Sequence, residues 1–193
     1  MAADDSFNAR FEAAIGRHNK AVRGNPAAVR DAHRQFAELR AIDSQHALLE
    51  AYYGSTLAML ARDADQLIDK ADKAQHSLDI LDRAVAMAPG DAVVRLIRAN
   101  VCMRLPDRIF DRTQTAIDDF KHLLSRDDGT PGYLAPAQRQ ETLQGLAQAY
   151  ENAGKHGLAK TIRQQSAKPR PDAAPQGKGE NDNGKQRKTG KGK

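Results

Sequence analysis

Tryptophan is absent, cysteine occurs once, and phenylalanine and tyrosine together number nine in 193 residues. The lone Cys102 excludes an intrachain disulfide and a thiolate metal cluster, and reads as a small apolar core residue. β-Branched residues are few and never alternate over a strand's length, so a sheet is excluded and helices are favoured. No run approaches the ~18 apolar residues of a membrane span. The stretch Met1 to Ser6 is acidic and carries no apolar segment, so no secretory signal is expected and a cytoplasmic protein is. The histidines at 18, 33, 46, 76, 122 and 156 stand singly, with no pair at metal-ligand spacing. Asp127-Asp128-Gly129 is too short for a calcium loop, and neither a phosphate-cradling glycine motif nor a Gly-x-Ser-x-Gly elbow is present. No catalytic residue, metal or cofactor is therefore assigned, and the expectation is a protein that is not an enzyme.

Charge is present but unevenly placed. The net charge of +5 belongs to residues 168–193, where eight Lys/Arg face three Asp/Glu; residues 1–167 hold 22 of each. That last stretch has five glycines, three prolines and no aliphatic larger than alanine, so it reads as a disordered basic tail behind a folded domain of residues 1–167. Lys185, Arg187 and Lys188 are its candidate anion contacts. Without aromatics to stack bases, the tail implies only weak, unspecific and salt-sensitive binding to nucleic acid or an anionic surface, or simple solubilisation. In the domain, 16 of the 22 basic residues are arginine, a bias that suggests a GC-rich bacterial source.

Apolar spacing by three and four predicts eight helices. The first runs over about 5–22 and buries Phe7, Phe11, Ala14, Ile15 and His18. Asn25 and Pro26 start the second, which presents Val29, Ala32, Phe36 and Leu39. The third begins at Asp43 or Ser44 and packs through Leu48, Tyr52 or Tyr53, Leu57 and Leu60. Leu67, Ile68, Ala71, Ala74, Leu78, Leu81 and Val85 form one stripe, predicting a fourth helix from Asp63 to Ala88, roughly 37 Å long. Pro89-Gly90 ends it and Asp91 caps the fifth, which packs through Val94, Ile97 and Val101 and stops at Leu105-Pro106-Asp107. The sixth covers about 111–125, a loop fills 127–133, and the last two helices start at Pro136 and after Gly154.

These helices pair into hairpins that repeat. Leu143-x-x-Leu146-Ala147-x-x-Tyr150-x-x-x-Gly154-x-x-x-x-Ala159 resembles a tetratricopeptide repeat in spacing. Leu81, Ala84 and Pro89 stand at that family's second-helix spacing, Ala32–Phe36 and Ala116–Phe120 show its small-then-large step, and Tyr53-Gly54-x-x-Leu57 resembles its first-helix half. The small first-helix residue precedes the small second-helix residue by 12 positions in the last unit (Ala147 to Ala159). The corresponding separations are 16 for Gly16 to Ala32, 23 for Gly54 to Ser77 and 17 for Ala99 to Ala116. Degenerate repeats with lengthened turns follow, and the second hairpin is expected to protrude around residues 58–74. The resemblance implies an all-α, tetratricopeptide-like solenoid of about four antiparallel hairpins.

The resemblance also implies a protein–protein interaction scaffold that offers a partner's peptide or amphipathic helix a groove lined by first helices. Groove candidates are Leu48, Ala51, Ser55 and Met59 in the third helix, Val93, Leu96, Asn100 and Arg104 in the fifth, and Glu141, Gln144, Gln148 and Asn152 in the seventh. The groove would pass from apolar to polar. Some of these apolar residues could instead pack internally or against a second copy as a homodimer. Arg95 and Arg98, with Arg104, Arg108 and Arg112, form the densest basic run of the domain and are candidate anion contacts. Asp107, Asp111, Asp118 and Asp119 lie close by, and a salt-bridged face is the alternative.

Overall fold

A computed structural model describes residues 2–167, with side chains from Ser6 onward. The basic tail, with Lys185, Arg187 and Lys188, lies outside the described residues. Among the described residues the structure is all-helical: α1 (Ala2–Val22), α2 (Pro26–Ile42), α3 (Ala47–Asp63), α4 (Leu67–Met87), α5 (Ala92–Cys102), a single turn α6 (Asp107–Phe110), α7 (Thr113–Gly129), α8 (Pro136–Asn152) and α9 (His156–Ser166). None of these helices is long and apolar enough to cross a membrane.

The stop and start signals act through identifiable hydrogen bonds. The Ala28 N–H donates to Asn25 Oδ1 at 3.1 Å, with Pro26 in the first helical position. Asp91 Oδ1 accepts from the backbone of Val93 and Val94 at 2.8 and 3.0 Å. His46 rather than Asp43 or Ser44 caps α3, its Nδ1 accepting from the Leu49 N–H at 3.2 Å.

Leaving aside the single turn α6, helices adjacent in sequence pack as α1 on α2, α3 on α4, α5 on α7 and α8 on α9; α2 also meets α3, α4 meets α5, and α7 meets α8. A third set of contacts joins α1 to α3, α3 to α5 and α5 to α8. The core follows these seams. Phe11, Ala14, Ala32, Phe36, Leu39 and Leu49 close the first. Ala51, Leu81, Ala84, Val85, Val94 and Val101 fill the middle, and a larger cluster around Ile117, Phe120, Leu143, Leu146 and Ala159 fills the far end.

Small residues set the close approaches. Ser77 donates its hydroxyl hydrogen to the Gly54 carbonyl at 2.7 Å, and a Cβ on Gly54 would lie 3.0 Å from Leu81 Cγ, so α3 and α4 meet almost backbone to side chain. Gly145 on α8 is tighter still: an added Cβ would fall 2.4 Å from Cζ of the fully buried Phe120. Gly16, by contrast, is exposed with open space around it, so the first hairpin closes through Phe11 and Ala14 and not through that glycine.

Three expectations change. The fourth helix begins at Leu67, after a break at Ala64–Gln66, and Leu67 and Ile68 are 82% and 74% exposed rather than part of the buried stripe. Among the described residues little packs on the first turn of α4, whereas Ala74 and Leu78 further along are buried. The stop at Pro106 becomes the turn α6, ended by Asp111 in the left-handed region at φ +50°. Helix α7 extends to Gly129 because Asp127, fully buried, pairs with Arg139 and accepts the Leu134 N–H at 3.0 Å.

Candidate functional site

The expected groove face divides once side chains are placed. Ala51 is fully buried among Leu81, Ala84 and Val94, and Leu96 is buried in the far cluster, so these two are core residues. Their helices, α3 and α5, are covered on several sides, leaving little free surface. Leu48 and Val93 are half-buried. Ser55 and Met59 are also mostly buried, but both border an open cavity, as does the exposed Arg104. On α8, Glu141, Gln144, Gln148 and Asn152 are all exposed. Asn100 Nδ2 donates to Glu141 Oε1 at 2.7 Å, tying α5 to α8, and Gln148 donates to Asn152 at 2.9 Å.

The anion candidates Arg95 and Arg98 are internally committed. Both reach Asp119, which is fully buried: Arg95 Nη1 at 2.6 Å, Arg98 Nε and Nη2 each at 2.8 Å. Arg98 also donates to Asp82 at 3.0 Å, and Arg112 to the other oxygen of Asp82 at 2.8 Å. Helices α4, α5 and α7 are thereby clamped together. A carboxylate taken out of water needs such partners, and removing one of them leaves a charge buried alone. A second clamp holds the buried Glu50 between Arg40 and Arg83. The sequence alternative of a salt-bridged face describes Arg95 and Arg98, with one difference: the central acid is buried, not solvated.

The cavity has a volume of about 400 Å³ and lies where α5 stops early. Helix α3 continues to Asp63 while α5 ends at Cys102, and the chain then turns through Leu105 and Pro106 into α6. Asp107 Oδ1 accepts the Thr113 N–H at 2.7 Å and so directs the chain into α7. That bond, with the Thr113 hydroxyl, holds the Asp107 carboxyl below its usual range. The space left between the diverging elements is bordered by Ala58, Ala61, Ala71 and Ala74 on α3 and α4. Val101, Leu105, Ile109 and Phe110 border it as well. Leu67 and Ile109 border it while 82% and 70% exposed. Its charged lining residues are Arg62, Lys70 and Arg104, with no acid among them.

At the α1 side Ser55 meets a histidine that helix periodicity had only placed in the core. His18 Nε2 and Ser55 Oγ are 2.9 Å apart, and His18 is 94% buried against Tyr52 and Phe36. Burial lowers its pKa to about 4, opposed by the Asn19 side chain and aided by the nearby Arg104 charge. The spacing is that of a nucleophile and its base, but His18 Nδ1 has no hydrogen-bond partner to orient the ring. As arranged, the pair satisfies two buried polar groups. A neighbouring pair, His33 Nδ1 and Thr56 Oγ1 at 3.1 Å, is organised alike, with burial again lowering the imidazole pKa. The Cys102 thiol is buried and pushed up to about 12, which keeps it protonated and inert.

Sequence reasoning had placed Ser55, Met59 and Arg104 on one face but missed Arg62, Lys70, Ile109 and Phe110. No periodicity signals that a helix turn after Pro106 folds back beside the start of α4. Among the described residues no three His, Cys, Asp or Glu side chains gather at metal-binding range. Compared with models of known families, with curated proteins and with solved structures, the chain has no match.

Proposed function

We propose that this chain is a non-enzymatic adaptor, a tetratricopeptide-like solenoid of about four hairpins formed by α1–α2, α3–α4, α5–α7 and α8–α9. Its first helices would present a groove to a peptide or amphipathic helix of a partner protein in the cytoplasm. The observation that supports it is the succession of contacts α1 to α3, α3 to α5 and α5 to α8, which sets the first helix of each pair beside the next. Along that succession the surface changes from the cavity beside Ser55, Met59 and Arg104 to the exposed amides of Gln144, Gln148 and Asn152. A surface of this kind offers apolar anchoring at one end and side-chain hydrogen bonds at the other.

The test is photo-crosslinking from single introduced residues in the native host. Positions 100, 144 and 148 on the groove face should capture one common protein in ~0.5 M salt, which suppresses phosphate-driven contacts. Positions 79 and 121, exposed on α4 and α7, should not. Equal capture from both faces would sink the groove. Capture only of nucleic acid, lost in salt and lost on truncation after Ala167, would point to the basic tail instead.

A further inference from the structure

The cavity between α3, α4 and α6 has two properties that together define a ligand. The first is size and lining. Four alanines and the larger apolar side chains of Met59, Leu67, Ile109 and Phe110 border this open slot. A single alkyl chain fits a space of its size. On the scale at which a cavity of about 150 Å³ admits a six-carbon ring, the slot's volume of about 400 Å³ has room for about 16 heavy atoms.

The second property is charge. Three cations and no acid border the slot. Arg62 is held by its neighbour Asp63 at 2.6 and 2.9 Å, and the Lys70 ammonium donates to the Arg62 carbonyl at 3.3 Å. The Arg104 guanidinium makes no hydrogen bond or ion pair among the described residues. An exposed fork of donors beside an apolar slot is complementary to a carboxylate that carries an aliphatic tail. A second copy of the chain seated face to face would set these cations against their own images, so the same charge disfavours self-association here.

We propose that this slot binds a free fatty acid of medium chain length, its tail between α4 and α6 and its carboxylate on Arg104. Leu67 and Ile109, now exposed at the rim, would fold over the chain and lose contact with water. The proposal goes beyond the adaptor reading and does not depend on it.

The test uses the full chain and three submicellar twelve-carbon probes, dodecanoate, dodecanol and dodecyltrimethylammonium, by calorimetric titration. One equivalent of dodecanoate should bind, with the alcohol and the cation at least tenfold weaker. Arg104→Glu should weaken dodecanoate at least tenfold and leave dodecanol unchanged. Ala71→Phe, at an exposed position bordering the slot, should remove both. A measurement independent of variant folding is broadening of methyl signals by a spin-labelled fatty acid, expected at Met59, Leu67 and Ile109 and not at Leu146. No binding, equal affinity for all three probes, insensitivity to Arg104→Glu, or broadening away from the slot would each overturn the proposal. Groove crosslinks that persist in Ala71→Phe, beside lost fatty-acid binding, would separate this site from partner capture.

Discussion

On one flank of α5, Arg95 and Arg98 cross to Asp119 and Asp82, and both side chains are 15% exposed. On the other flank, Val101 and Arg104 border an open slot whose rim residues Leu67 and Ile109 stand largely in solvent. The two flanks reverse the usual expectation that charge faces water and apolar surface faces protein. The first is closed: its acid is fully desolvated and both arginines are turned onto it. The second is open: it has an apolar lining, a cationic rim and no occupant among the described residues. Clustered arginines in a sequence are thus a poor guide to a ligand site when acids lie one helix away.

The sharpest way to break this contrast is Asp119→Ala. It would leave Arg95 and Arg98 mostly buried without their acid, and we expect a loss of about 3–5 kcal/mol in urea unfolding. A loss below about 1 kcal/mol, typical of an exposed pair, would show that the closed flank is solvated after all.

A second effect tests the interior behind the open flank. Burial lowers the His18 imidazole from 6.5 to about 4, so the folded chain resists a proton that the unfolded chain accepts. Above pH 6.5 both states are neutral and nothing is lost. As the pH falls from there towards 4, stability should fall by about 3 kcal/mol in total. Thermal melts across this range should show His18→Gln, which keeps a partner for Ser55, with a shallower decline than the parent chain. Parallel declines would mean His18 is accessible to water.

The smallest effects are expected at the rim. Leu67→Asp and Arg104→Ala should each change stability by less than about 0.5 kcal/mol, because neither side chain is covered or paired. A larger loss at Leu67 would mean that the first turn of α4 packs against something in solution.

Much of the helix pattern was legible because burial recurs with the helical period. Val29, Ala32, Phe36 and Leu39 are all buried, as are Ala116, Ile117, Phe120, Leu123 and Leu124. Asn25 and Asp91 cap where their side-chain chemistry says they should. The stripe from Leu67 failed for a definite reason: periodicity identifies which face of a helix is apolar, not how far its neighbours extend. The loop expected at 127–133 was read from turn-forming composition. Asp127 stays helical because Arg139, a dozen residues on, pairs with it. Of the candidate site, Ser55, Met59 and Arg104 were legible, whereas Ala51 and Leu96 were assigned to a surface that α3 and α5 do not leave free.

By itself the sequence determined that this chain is helical, where most helices begin, and which residues could supply apolar faces, since caps and period act within one turn. Which arginines are tied to buried acids, and that Arg104 is not among them, was decided only by the tertiary structure. So was the slot beside Arg104. Both depend on distances between elements far apart in the chain, here Arg98 to Asp119 and the first turn of α4 to the turn after Pro106, and local spacing carries no information about those.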